Sequence, residues 1–390
     1  MTVPSRPAGV DDVGGLESVT TSRRVASLTG IRAVAALLVV LTHAAYTTGK
    51  YPQGYVGLVY SRMEIGVPIF FVLSGFLLFL PWVKAASAGS PAPSVRRYAW
   101  HRVRRIMPAY VVTVVAAYLV YHFRTAGPNP GHTWEGLFRN LTLTQIYTDD
   151  YLYSFLHQGL TQMWSLAVEV AFYVVLPLLA YLLLVVLCRR RWRPRLLLSG
   201  LMVLALVSPA WLALVHSVDW LPDGARLWLP GYLAWFVGGM ALAALQPMGV
   251  RAYAWVCVPL AVACYFIAST PIAGEPTTSP AELREALAKT AFYAVIATLV
   301  VAPLALGPRR DGGGPERGWY ARLLASRPMV FLGEISYEIF LIHLITMELV
   351  MVEIVRYPIY TGSVWWLFVG TMVVTIPLAW LLHRFTRVRA

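Results

Sequence analysis

Two ionisable residues, Arg32 and His43, interrupt the otherwise apolar stretch LTGIRAVAALLVVLTHAAY. Ionisable groups at membrane depth are expensive to bury, so they mark function by default. On a helix the eleven-residue spacing brings the two side chains back to within about 20° of one another, on one stripe and roughly 16 Å apart along the axis. Arg32 then sits near one end of the span and His43 past its middle. An imidazole titrates near neutral pH and can take a proton from a hydroxyl, which makes His43 a candidate general base. A snorkelling arginine and a histidine hydrogen-bonded within a bundle would give the same pattern in this stretch alone.

Other stretches carry chemistry of matching kinds. In RRYAWHRVRRIMPAY, Arg102 and Arg105 fall three apart on one helical face just before Pro108, with Arg104 beside them. Guanidinium forks in that arrangement clamp phosphates bidentately or anchor a helix to anionic lipid. Glu169 lies within QMWSLAVEVAFYVVLPLL, where a carboxyl must be paired, protonated or functional, and a histidine is its obvious partner. FLGEISYEIFLIHLI sets Glu334, Ser336, Tyr337, Glu338 and His343 on one helix too polar to face lipid alone. Interhelical hydrogen bonding is the plainer use of those groups. In EIGVPIFFVLSGFLLFL, Pro68, Ser74 and Gly75 would let the chain kink or re-enter.

The elements that must position these residues are membrane helices. The chain is 58% hydrophobic and 13% charged, with mean hydropathy +0.62, whereas a soluble domain carries about 25% charged residues. Apolar segments fall at about 28–47, 64–83, 106–123, 164–187, 196–216, 227–246, 251–270, 287–306, 329–352 and 363–383. Each approaches the length that a hydrocarbon core of roughly 30 Å demands of a helix. The expected fold is all-α: a polytopic membrane helix bundle of about ten transmembrane helices with both termini cytoplasmic. Residues 1–24 read as a disordered tail without a signal-peptide core, 25–385 as the transmembrane domain, and 386–390 as a basic tail.

Charge sets the orientation. With the amino terminus inside, 23 of the 32 basic residues lie on the inner side, and Asp149, Asp150, Asp219, Asp223, Glu275, Glu282 and Glu285 lie outside. The net charge of +13 and pI near 9.8 come from short clusters between apolar runs, so they call for no nucleic-acid partner. Three cysteines, Cys188, Cys257 and Cys264, supply no disulfide framework, and no metal site follows. Arginine outnumbers lysine 29 to 3, as in GC-rich bacterial genomes. The longest outer connection, 124–163, is rich in aromatics suited to the headgroup layer or to a substrate rim. No internal repeat is visible, which counts against a transporter built from duplicated halves.

Taken in order, LTGIRAVAALLVVLTHA, GVPIFFVLSGFLL, RVRRIMPAY, WSLAVEVAFYVVLP and LGEISYEIFLIH resemble the acyltransferase-3 family of integral membrane O-acyltransferases over residues 28–345. The Arg32 to His43 spacing resembles the family's hallmark, and WSLAVE its acidic motif. Thr29 stands where members often carry Asp, and Pro68 where they often carry a polar residue. The LTGIRA variant resembles actinobacterial members, including the mycobacterial branch that acetylates trehalose monomycolate. The chain resembles the stand-alone form, without an appended outer hydrolase-like domain.

The resemblance implies a multi-pass protein of the plasma (inner) membrane that moves an acyl group, most often acetyl, from cytoplasmic acyl-CoA to a hydroxyl. The acceptor would be an envelope glycolipid or another carbohydrate. Arg102, Arg105 and Arg104 would hold the nucleotide end of acetyl-CoA or another acyl-CoA, and Arg32 pantetheine or phosphate oxygens. His43 would be the base, Glu169 its orienter, and Ser336 and Tyr337 hydrogen-bond donors to the developing oxyanion. Direct transfer and an acyl-histidine relay both remain open, as does the oligomeric state. The competing expectations are acylation of a small molecule such as a macrolide, and a proton-coupled transporter of an amphiphile or drug using His43, Glu169 and Glu334.

Overall fold

The computed structural model describes residues 13–124, 128–276, 282–307 and 318–387, and among these all regular structure is helical. In chain order the helices are α1 (Val13–Thr47), α2 (Gly54–Ser61), α3 (Gly66–Ala88), α4 (Val95–Phe123), α5 (Trp134–Leu141), α6 (Met163–Ala180), α7 (Pro194–Ala205), α8 (Val207–Ser217), α9 (Leu229–Leu245), α10 (Ala254–Ala268), α11 (Leu283–Leu306), α12 (Trp319–Leu324), α13 (Arg327–Glu334), α14 (Ser336–Leu349) and α15 (Val364–Thr386). Residues 1–12 of the expected tail lie outside the described residues, and from Val13 the backbone already belongs to α1. Residues 308–317, with Arg309, Arg310 and Arg317, and 388–390 also lie outside them.

All ten apolar stretches are helical, in two grades. Among the described residues, eight helices are long and apolar enough to cross a membrane, and the pair α13 and α14, bent by 71°, makes a ninth if it is counted as one broken span rather than a re-entrant loop. The remaining stretch, α10, has 15 residues, about 22 Å of helix against a hydrocarbon core of roughly 30 Å. The segment in which Pro68, Ser74 and Gly75 would let the chain kink or re-enter instead runs as one helix from Gly66 to Ala88. Pro68 sits in the first turn of α3, where a missing N–H costs little.

Local capping chemistry sets several helix starts. Ser94 Oγ accepts from the Arg97 N–H at the head of α4, and Thr133 Oγ1 accepts from the Gly136 N–H at the head of α5. A capping box of Glu282 and Glu285 opens α11. Because Ser94 starts α4 so early, its first turns carry Arg102 and Arg105 as ordered helix rather than loop.

Packing explains the glycine of FFVLSGFLL. A Cβ on Gly75 would lie 2.1 Å from the Phe236 carbonyl oxygen, and one on Gly239 would lie 1.9 Å from that of Val72. The two helices therefore touch backbone to backbone, as small residues permit in membranes. Phe236 stacks on Phe71 at 4.3 Å and on Phe172 at 4.0 Å, tying α3, α9 and α6 into one core.

Candidate active site

Helices α1, α3, α4, α6 and α14 enclose a cavity of about 190 Å³. Arg32 enters from α1, Ser74 from α3, Arg102 and Arg105 from α4, Glu169 and Tyr173 from α6, and Ser336, Tyr337 and Phe340 from α14. Val67, Phe70, Leu73 and Leu77 supply an apolar wall along α3. Six of the eight residues singled out from sequence thus meet in one space, and Arg104 and His43 do not line it.

Helical geometry accounts for Arg104. At 100° per residue it points away from the face shared by Arg102 and Arg105, and its guanidinium lies over the Trp100 ring at 6.0 Å. Its assignment to the coenzyme site is therefore corrected. Three arginines then line the cavity with one carboxylate. Among the described residues no ion pair or hydrogen bond joins Arg32, Arg102 or Arg105 to Glu169, and the buried Nε of Arg102 has no hydrogen-bond partner. Donors held in this way suit an anion with several oxygens.

Glu169 does not meet a histidine. Its Oε1 accepts from Ser74 Oγ and from the Tyr173 hydroxyl at 2.6 Å, one turn along α6. The reason is level within the membrane: Glu169 shares the cavity with Arg32, and His43 lies three helical turns farther along α1. Ser336 and Tyr337 also differ from expectation. Ser336 donates its one proton to the Gly333 carbonyl at 2.9 Å, and Tyr337 donates to the Ile106 carbonyl at 3.0 Å. Both shape the cavity wall and neither hydroxyl proton is left over for a substrate oxygen in this state.

Beyond the cavity, His43 meets His343. The two rings lie 5.0 Å apart at 53°, with His343 Nε2 at 3.3 Å from His43 Nδ1. His43 Nδ1 also lies 2.8 Å from the Val39 carbonyl oxygen, and His343 Nδ1 lies 2.8 Å from that of Phe340. His343 is fully buried, whereas His43 keeps some exposure. Phe340 joins the two regions: its ring lines the cavity and its centroid is 6.1 Å from that of His343.

Sequence reasoning gave His343 no role beyond interhelical hydrogen bonding, Ser74 none beyond a kink, and Tyr173 none. A histidine inside an apolar helix was the available signal for the first. It also passed over a second polar cluster. Glu64 Oε1 pairs with Lys289 at 2.5 Å and accepts from the Tyr293 hydroxyl at 2.7 Å. Arg62 is buried beside it and donates to the carbonyls of Ala268 (2.8 Å), Ala273 (3.0 Å) and Gly274. In the outer connection, His132 Nδ1 lies 3.2 Å from His157 Nε2, and Tyr118 stacks on His157 at 4.4 Å. Burial first, and the neighbouring His132 second, push the His157 imidazole down to about 3.

Fold and site together define a polytopic helical membrane protein with a cationic cavity between its helices and a histidine pair beyond the Phe340 side of that cavity. Residues 25–384 match the acyltransferase domain family, and the chain belongs to this acyltransferase-3 family. Among curated proteins it is similar to the peptidoglycan O-acetyltransferase OatA of Listeria monocytogenes, 26% identical over 363 residues that cover 85% of this chain and 51% of the relative. It is also similar to the O-acetyltransferase OatA of Staphylococcus aureus, 21% identical over 359 residues, 85% of this chain and 52% of that one. The acyltransferase MdmB of Streptomyces mycarofaciens is 30% identical over 174 residues, 43% of this chain and 42% of the relative. The chain spans about half the length of the curated relatives it matches. No solved structure matches it.

Proposed function

We propose that the chain transfers an acyl group, acetyl in the first instance, from acyl-CoA to a hydroxyl of an envelope carbohydrate, either glycolipid or polymer. The observation that carries the reading is the cavity in which Arg32, Arg102 and Arg105 face only Glu169, with His43 and His343 just past its Phe340 wall. The positive-inside rule supports placing the Arg102 end of the bundle in the cytoplasm, where acyl-CoA is made. Phosphates of the donor would then lie against Arg102 and Arg105, and the apolar wall of α3 would receive the pantetheine arm. The carbohydrate reading rests on the peptidoglycan named for one relative, and an inner-membrane location on the same topology.

His43 would take the proton of the acceptor hydroxyl as its oxygen attacks the thioester carbonyl, and would return it to the departing thiolate. Glu169, bound to Ser74 and Tyr173, would hold the register of the arginine cluster rather than orient the base. Phe340 stands between thioester and base, so its side chain must shift for them to meet.

The test is release of free coenzyme thiol by the purified protein in nanodiscs, given acetyl-CoA with and without envelope extract. Acceptor-dependent thiol release, together with an acetyl-sized mass increase on an envelope component, is the expected result. Extract-dependent uptake of a solute into vesicles with no thiol released would replace the reading with a transporter.

A further inference from the structure

We infer that His343 is a positioning residue for His43, acting with the Val39 carbonyl to hold the tautomer and ring angle that leave His43 Nε2 free to act as base. The inference rests on the acyl-transfer reading above. Its evidence is the pattern of acceptors around the two rings.

A carbonyl oxygen can only accept, so the ring nitrogen facing one must carry the proton. His343 Nδ1, at 2.8 Å from the Phe340 oxygen and 3.2 Å from that of Ile339, is therefore the protonated nitrogen of that ring. Its Nε2 is left with a lone pair, and that lone pair faces His43 Nδ1 at 3.3 Å. His43 Nδ1 has the Val39 oxygen on its other side at 2.8 Å. Two acceptors, a carbonyl and an imine-type nitrogen, thus converge on one N–H. The neutral His43 ring is held with its proton on Nδ1 and its lone pair on Nε2, which has no hydrogen-bond partner among the described residues.

The anchor is itself braced. Gln162 Nε2, from the turn that leads into α6, donates to the Phe340 carbonyl at 3.3 Å and to that of Leu341 at 2.9 Å. The Phe340 oxygen therefore receives one bond from His343 and one from Gln162. Thr346 Oγ1, one turn on, donates to the His343 carbonyl at 3.0 Å. His343 is fully buried and so reaches neither substrate.

In the transfer step the acceptor O–H bond breaks and its proton goes to His43 Nε2. The freed oxygen bonds to the thioester carbonyl carbon, the C–S bond breaks, and the coenzyme thiolate leaves and collects the proton. Nothing is oxidised or reduced. While His43 carries both protons it is an imidazolium, and its Nδ1–H bond to His343 Nε2 becomes charge-assisted and stronger. Stabilisation present only in that state lowers the barrier without tightening substrate binding.

The experiment compares His343→Leu, His343→Gln, His43→Ala and the double His43→Ala, His343→Leu variant by thiol release in nanodiscs, with acetyl-CoA KM measured for each. A Gln side-chain oxygen can still accept from His43 Nδ1–H, whereas Leu cannot. Expected are a fall in kcat on the order of 100-fold for His343→Leu with KM unchanged, and recovery of most of it in His343→Gln. The double variant should be no slower than His43→Ala alone. Wild-type kcat in His343→Leu, or equal loss in the Leu and Gln variants, overturns the positioning role while leaving the function standing. If His343→Leu does not purify as a monodisperse protein, the Gln variant against wild type decides. Full turnover in His43→Ala removes the base assignment itself, a different failure from either of those.

Discussion

Two charged clusters among the described residues, one around Arg62 and one around Arg102, are finished to different degrees. Around Arg62, every charged group has its complement: three backbone carbonyls receive the guanidinium, and Glu64 is held by Lys289 and Tyr293. Around Arg102 the arithmetic does not close. Three guanidiniums share a cavity with one carboxylate, which spends its hydrogen bonds on Ser74 and Tyr173, and the buried Arg102 Nε has no partner. A group that is fully partnered belongs to the fold around it, whereas donors kept apart from the acceptor beside them are the ones the proposed function assigns to a ligand.

Substitutions can break that contrast. The largest effect belongs to His43→Ala, beyond the cavity: a loss of transfer of roughly 1,000-fold with membrane insertion retained, checked by thiol release and by membrane fractionation. Next is the Arg102→Ala, Arg105→Ala pair, which should weaken acyl-CoA binding by roughly 100-fold while leaving Tm in place. Calorimetric titration and a thermal melt on the same sample read both, and an unchanged affinity would return these residues to lipid anchoring.

Arg62→Met should do the opposite. Three carbonyls lose their donor at once, so about 2–3 kcal/mol of stability should go, seen as a lower Tm, with acyl-CoA affinity per folded molecule intact. Loss of affinity without loss of Tm would reverse the roles assigned to the two clusters. The smallest effect is a pH dependence at the outer connection. His157 is held neutral in the fold, down to about 3 against an ordinary 6.5, so the unfolded segment binds more protons between those values. Stability there is complete above pH 6.5 and is lost as pH falls below it, by about 1–2 kcal/mol at pH 5. Hydrogen exchange over residues 128–162 at pH 7.5 and pH 5 should show faster exchange in acid, and equal rates would remove His157 as the cause.

Much of this was legible in the sequence because it is periodic or additive. Apolar runs found every helix of membrane length but not the short α2, α5 and α12, and helical spacing placed Arg102 and Arg105 on a shared face. The same 100° rule sets Arg104 apart from them, although the resemblance groups it with its neighbours. What sequence could not supply was depth. Glu169 in an apolar run announces a need for a partner, but whether Arg32 or His43 answers depends on how far α6 is shifted along α1, a property of packing between side chains far apart in the chain. Likewise nothing in FLGEISYEIF marks a 71° bend at Ile335. That bend goes with the Gly333 backbone pressing on Thr29, where a Cβ would lie 2.0 Å from the carbonyl oxygen. Lys289 and Glu64 are separated by more than two hundred residues, and no local pattern joins them.

The order of synthesis follows from where the cavity walls come from. Arg32, Arg102, Arg105 and Glu169 emerge from the ribosome early, yet the wall made by Ser336, Tyr337 and Phe340 belongs to the ninth apolar segment. The Tyr337 to Ile106 bond closes a loop of 231 residues, and the meeting of His43 with His343 closes one of 300. For most of its translation the nascent chain therefore carries cationic groups in the bilayer with their surroundings unbuilt. Completion of this cavity comes late in co-translational assembly, after eight of the ten apolar segments have been made.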